Sequence, residues 1–189
     1  MIKKITALAV MAVLCLQITA SAQKKAITKT YQIGDKVPDI QLNGILNHST
    51  TQTKLSDFKN KAILLDFWAT WCGSCIKSFP KMDSVEKQFS KNLQVLLINN
   101  SNRDDLAKVK TFLEKFKTEH PNFSLPIVIG NEATKTLYSS GSLPHYIWIG
   151  YDRKIKAITG PEEVIHTNIE RLVAGLPLNL PLKEGYHEE

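Results

Sequence analysis

Cys72 and Cys75 stand two residues apart in the run Trp71-Cys72-Gly73-Ser74-Cys75, with an almost unbroken apolar stretch, Ala62 to Phe67, before them and a helical period after them. That setting puts Cys72 at a helix N-terminus and Cys75 one turn in. The unpaired N–H groups and the positive end of the helix dipole stabilise a thiolate there, and a cysteine pKa falls from about 8.5 to about 3.5–7.5 in such surroundings. Cys72 is then the nucleophile. Its thiolate attacks a disulfide to form a mixed disulfide, and Cys75 attacks the Cys72 sulfur to release the reduced product and close the short internal bond. Run backwards, the same steps oxidise a dithiol.

Asp66 is the lone acid of the apolar stretch. Burial makes a carboxylate costly to ionise and raises its pKa, which suits a group exchanging protons with a neighbouring thiol near neutral pH. A strand-end carboxylate hydrogen-bonded to backbone is the other reading. Trp71 is expected to cover the site and offer apolar contact to a substrate, and Trp68 to pack in the core. Metal chemistry has less support: one cysteine pair supplies two thiolates, a structural zinc site wants four ligands, and no second pair exists. No metal or other cofactor is expected. The alternative reading is a copper-binding or copper-delivery protein in which His145, next to Pro144, approaches the two sulfurs. His48, His120, His166 and His187 fall at no ligand spacing.

The elements that must position these residues can be read outward from the cysteines. Ala62 to Phe67 reads as a strand buried on both faces. Ile76, Phe79, Met82, Val85 and Phe89 recur at three- and four-residue spacing, which predicts an amphipathic helix over 74–90, kinked at Pro80. A strand over 93–98, a helix over 103–117, a strand over 125–129 and a short helix over 132–138 extend the alternation. Residues 145–149 and 154–158 form an expected hairpin, and 161–174 a last helix with Pro161 in its first turn. Upstream, 37–42 and 49–53 suggest a hairpin around Asn43-Gly44, followed by a helical turn at 55–58. The whole predicts an α/β domain with a central mixed sheet flanked by helices and an N-terminal β-hairpin extension.

The first residues say where such a chain goes. Lys3 and Lys4, an apolar stretch from Ile5 to Leu16 and Ala20-Ser21-Ala22 make a secretory signal with a small-x-small cleavage site, so residues 1–22 are expected to be removed. The stretch is shorter than the roughly 20 residues a spanning helix needs, and Leu14 before Cys15 does not suit lipidation, so no stable membrane anchor is expected. Cleavage takes Cys15 away, and a single tight cysteine pair in a chain of this size points to chemistry rather than to a disulfide scaffold. Residues 23–32 read as a flexible lead-in, 33–175 as the domain and 176–189 as a C-terminal tail lying along the surface or loose. A periplasmic or otherwise extracytoplasmic location follows. The formal charge of +6 is spread among acids rather than gathered into a stripe, so no nucleic-acid partner is expected.

The run Phe67-Trp68-Ala69-Thr70-Trp71-Cys72-Gly73-Ser74-Cys75, with Pro80 five residues on and Leu143-Pro144 before a late apolar strand, resembles the thioredoxin superfamily. Its exported reductases of the TlpA/ResA type are the nearest branch. They share a Gly-x-x-x-Pro entry to an N-terminal hairpin, here Gly34 to Pro38, and an insert before the third sheet strand, here around His120 to Ser124. The resemblance covers about 33–174. It implies that Pro144 is the cis-proline facing the redox pair and that the backbone of Leu143 pairs with bound substrate. Asp66 matches the buried acid of thioredoxin proper, which many members of this branch lack. Gly73 and Ser74 occupy the place of the thioredoxin Gly-Pro; serine restores an N–H and adds a hydroxyl, both able to solvate a thiolate. The implied activity is disulfide exchange with protein thiols and disulfides, commonly as a reductase, with a membrane or exported dithiol as electron donor. The peroxidases of the same fold resemble Pro-x-x-x-Thr-x-x-Cys, a pattern absent around Cys72, so peroxide turnover is not expected.

Overall fold

The computed structural model describes residues 31–130, 132–137 and 141–186. The expected signal peptide, 1–22, and residues 23–30 of the expected lead-in lie outside the described residues. Elements follow in the order β1 (Gln41–Asn43), β2 (Ile45–Leu46), β3 (Gln52–Lys54), a 3-10 turn at Leu55–Asp57, β4 (Ala62–Trp68), α1 (Gly73–Gln88), β5 (Leu93–Asn99), α2 (Leu106–Glu119), β6 (Ile127–Ile129), α3 (Glu132–Leu137), β7 (His145–Ile149), β8 (Ile155–Thr159), a 3-10 turn at Pro161–Glu163 and α4 (His166–Val173). The main sheet is mixed, in the order β2-β6-β5-β4-β7-β8. β4, β5 and β6 run parallel, and β2, β7 and β8 pair antiparallel to their neighbours.

Every residue of β4 and β5 is buried, as continuous apolar strands covered on both faces must be. The two-residue period then divides the core. Leu64 and Trp68 face Phe79 and Met82 of α1, Val109 and Phe116 of α2 and Ile169 of α4. Ile63, Leu65 and Phe67 face the N-terminal segment, through Val37, Leu42 and Phe58, together with Leu137 of α3. Phe79 anchors α1 on the first face, with its ring 5.0 Å from that of Trp68, 5.7 Å from Phe116 and 5.8 Å from Phe123. Truncating such a buried ring costs about 3–5 kcal/mol. The helix runs on through Pro80 to Gln88.

Several boundaries differ from the sequence expectation for identifiable reasons. The N-terminal hairpin is β1 with β3, Leu42 opposite Thr53. Residues 34–37 instead bond to the β7–β8 turn and the start of β8, Gly34 N–H to Ile155 C=O at 2.8 Å and Val37 N–H to Arg153 C=O at 2.8 Å. β2 was not expected; two residues carry no period, and only pairing with distant β6 makes them a strand. α2 begins three residues late because Asp105 caps it, accepting the Lys108 N–H at 2.8 Å. The last helix is split into the 3-10 turn and α4.

The described residues of the C-terminal segment, 176–186, form no helix or strand, yet they are tied down. Leu178 and Leu180 pack against the helical face, and Leu182 and buried Tyr186 against the other. The Tyr186 hydroxyl donates to the Tyr31 carbonyl, closing the tail over the described end of the lead-in. Among the described residues no helix is long and apolar enough to cross a membrane.

Candidate active site

Between β4 and α1 the chain makes one tight turn. The Cys72 N–H donates to the Ala69 carbonyl at 3.0 Å, and α1 opens at Gly73 with Cys72 as its N-cap. Cys72 and Cys75 are joined in a disulfide, their Cα atoms 5.3 Å apart. Cys72 is 6% exposed and Cys75 fully enclosed, so a partner arriving from solvent meets Cys72 first. The Cys75 N–H points at the Cys72 sulfur from 3.3 Å, and the Ser74 hydroxyl lies 3.6 Å from it. These donors, with the helix N-terminus behind them, favour negative charge on that sulfur once the bond is opened.

Asp104 holds the turn from outside, and the sequence reading missed it. Its carboxylate accepts the Thr70 N–H at 2.8 Å, the Thr70 hydroxyl at 2.6 Å and the Asn99 side-chain amide at 2.9 Å, and it pairs with Lys108 at 2.7 Å. These donors outweigh burial and hold its carboxyl down to about 2. Asp104-Asp105 reads in sequence as a helix start; only the fold shows that one caps α2 and the other grips the residue two before Cys72.

Trp71 is 54% exposed. Its indole N–H donates to the Ser101 hydroxyl at 3.1 Å, and the Arg103 guanidinium lies 5.6 Å from the ring centre. Trp71, Trp68, Asn100, Arg103 and Leu143 border a cleft of about 360 Å³. A second cleft, about 720 Å³, runs past Ser74, Leu143, Pro144 and Pro161 to Lys183 in the tail. Leu143 lines both. The Leu143–Pro144 peptide bond is cis.

Asp66 is completely buried, with no backbone group donating to its carboxyl oxygens, so the strand-end reading, a carboxylate held by backbone, does not apply. Burial pushes its pKa well above the carboxylate range, offset only in part by the Tyr146 hydroxyl of the paired strand β7. Tyr146 in turn is pushed up, first by burial and then by Asp66. Ser78, one turn after Cys75, donates to the Cys75 carbonyl at 2.6 Å, and its oxygen lies 3.5 Å from the Tyr146 hydroxyl. Polar groups thus run from the α1 backbone at Cys75 to Asp66. Neither Ser78 nor Tyr146 was singled out in the sequence, because nothing local marks them.

His145 does not approach the sulfurs. It is buried in β7, on the face opposite α1, with its ring 5.3 Å from that of Phe67 and 6.1 Å from that of Tyr186. Burial lowers its pKa to about 3. The alternation of β7 sends Tyr146 towards the cysteines and His145 away from them. This removes the observation on which copper binding would rest, and among the described residues no group of three or more His, Cys, Asp or Glu could hold a metal ion.

Comparison with known proteins gives a consistent result. A family model described as Redoxin matches residues 32–173. The chain is 30% identical over 114 residues to the thioredoxin-like protein YneN of Bacillus subtilis, which covers 60% of this chain and 62% of that protein. It is 30% identical over 135 residues to the thiol-disulfide oxidoreductase ResA of Oceanobacillus iheyensis, covering 69% of this chain and 66% of the relative. The match therefore spans slightly less than two thirds of each of these relatives. Among solved structures, a Chlorobium tepidum protein provisionally named thiol:disulfide interchange protein DsbE is 28% identical with a TM-score of 0.53, over 68% of this chain and 84% of that one.

Proposed function

The chain belongs to the Redoxin family, within the thioredoxin superfamily and on its TlpA/ResA-like branch, and from that premise we propose that it is an exported thiol–disulfide oxidoreductase that reduces protein disulfides through Cys72 and Cys75. The observation that carries the reading is the disulfide at the mouth of α1, with Cys72 slightly exposed and Cys75 fully enclosed behind it. In the reduced protein the Cys72 thiolate attacks one sulfur of a substrate disulfide, forming the mixed disulfide and releasing one substrate thiolate, which takes up a proton. Cys75 then loses its proton and attacks the Cys72 sulfur, releasing the second substrate thiolate and restoring the bond now present. Two electrons and two protons pass to the substrate.

Each neighbouring group has a part in this scheme. Asp66, whose pKa burial raises, exchanges the Cys75 proton. Leu143, on the cis side of Pro144, offers its backbone to the substrate chain, and Trp71 offers an apolar wall. Gly73 lets the chain enter the helix with open space beside it, since a Cβ there would meet nothing within 4 Å. Ser74, with its hydroxyl beside the Cys72 sulfur, stabilises the thiolate and makes the pair more oxidising than thioredoxin, whose potential is about −270 mV. The protein works outside the cytoplasm after cleavage at residue 22, and a membrane or exported dithiol returns it to the reduced state.

The test is insulin reduction by wild type, Cys72→Ser and Cys75→Ser, with the mixed disulfide captured on Cys75→Ser in the native host. Activity is expected only in wild type, and captured partners only with Cys72 intact. Insulin reduction that survives Cys72→Ser would remove the reading.

A further inference from the structure

The C-terminal segment reaches the cis-proline loop and holds it. The ammonium of Lys183 donates to the carbonyls of Ser142 and Pro144, both at 2.6 Å, the peptide oxygens on either side of Leu143. The lysine is itself fixed at both ends of its turn: its N–H donates to the Ile158 carbonyl of β8 at 3.0 Å, and its carbonyl accepts the Tyr186 N–H at 3.1 Å. Tyr186 is buried and stacks on His145, the residue after Pro144. Burial lowers the pKa of this ammonium to about 8, and the charge of Glu162 offsets that only in part.

In a trans peptide the C=O and N–H point to opposite sides of the chain. A cation fixed on the Ser142 oxygen therefore turns the Leu143 N–H away from the tail and polarises the peptide, making that N–H a stronger donor. Among the described residues, no hydrogen bond uses the N–H or C=O of Leu143 itself. The loop presents one residue's edge to solvent while the carbonyls flanking it are taken.

We propose that Lys183 is a positioning residue for polypeptide substrates: by gripping the carbonyls of Ser142 and Pro144 it fixes the Leu143 backbone edge that an extended segment next to the target disulfide pairs with. The proposal rests on the reading of Cys72, Cys75 and the cis-proline loop given above. It makes the tail part of the substrate site, forming the far wall of the larger cleft, and it concerns binding of a peptide backbone rather than the sulfur chemistry.

The intact chain with Lys183→Met, which keeps the alkyl stem, and with Lys183→Arg, which keeps charge and donors, separates these roles. Each reduced protein is assayed on insulin and on hydroxyethyl disulfide, which has no peptide group to pair with Leu143. Lys183→Met is expected to raise KM for insulin at least fivefold with kcat nearly unchanged, to leave the rate with hydroxyethyl disulfide within twofold of wild type, and to be partly rescued by Lys183→Arg. Equal losses on both substrates, or an unchanged KM for insulin, would overturn the proposal. A wild-type protein that reduces neither compound defeats the underlying reading instead, and the proposal with it, before any variant is made.

Discussion

The two walls of the site are built in different ways. On one side, the turn from Ala69 to Cys75 takes its shape from its own residues and from one carboxylate, Asp104, that locks Thr70. On the other, the loop at Leu143-Pro144 has no regular structure of its own and is held by Lys183, about forty residues on in a segment whose described residues form neither helix nor strand. The first wall holds the sulfurs and the second the backbone edge offered to a substrate. Chemistry that every substrate shares is thus placed on a rigid strand–helix junction, and contact that differs between substrates on a loop braced from a distance.

That contrast can be broken by experiment. Asp66→Asn, behind the first wall, is expected to slow release of the mixed disulfide by about a hundredfold, within the range for losing an acid–base group, and to leave the initial attack by Cys72 unchanged in stopped-flow traces. It should also stabilise the protein at pH 8. Burial raises the folded pKa of Asp66, so the wild type is favoured below the unfolded value near 3.8 and loses that advantage as pH rises through the folded one; asparagine carries no such dependence. Equal melting temperatures for the two proteins at pH 8 would count against a raised Asp66 pKa.

Asp104→Ala leaves the Thr70 N–H and hydroxyl without their acceptor. It should cost roughly 1–3 kcal/mol, seen in urea unfolding, and should slow insulin and hydroxyethyl disulfide alike, unlike the Lys183 variant. The pH course has the opposite sign to that of Asp66. The folded value near 2 lies below the unfolded 3.8, so the contribution is present above pH 3.8 and fades as pH falls towards 2. A mutant whose acid unfolding matches wild type would show that the turn holds without Asp104. The smallest effect is expected from Ser74→Pro, which removes the hydroxyl beside the Cys72 sulfur and one N–H of the helix N-terminus; redox titration against glutathione should show the potential falling by about 30 mV, a tenfold change in equilibrium constant.

Legibility in the sequence followed the same division. The strand Ala62–Trp68, the helix after Cys75 and the alternating hairpin of β7 and β8 carry strong local periods, and their positions were readable to within a residue or two. The spacing of Cys72 and Cys75 and the isolation of Asp66 in an apolar run are local signals too. Asp104, Ser78, Tyr146 and Lys183 are not, because each acquires its place only when strands and loops far apart in the chain are brought together. Asp104 reaches Thr70 across 34 residues and Lys183 reaches Ser142 across 41. The tail has no period at all, and its attachment rests on Leu182, Lys183 and Tyr186 finding sites that other elements create. His145 belongs with them: only the pairing of β7 with β4 shows that Tyr146 faces the cysteines and His145 the other way.

The most direct measurement is the rate of Cys72 alkylation against pH in the reduced protein, followed by mass spectrometry with Cys75→Ser as a single-thiol control. A sulfur at the mouth of α1, with the Cys75 N–H and the Ser74 hydroxyl turned towards it, should titrate below about 7.5 and react at neutral pH well ahead of a free cysteine. A midpoint at or above about 8.5, with no excess reactivity at pH 7, would contradict the account.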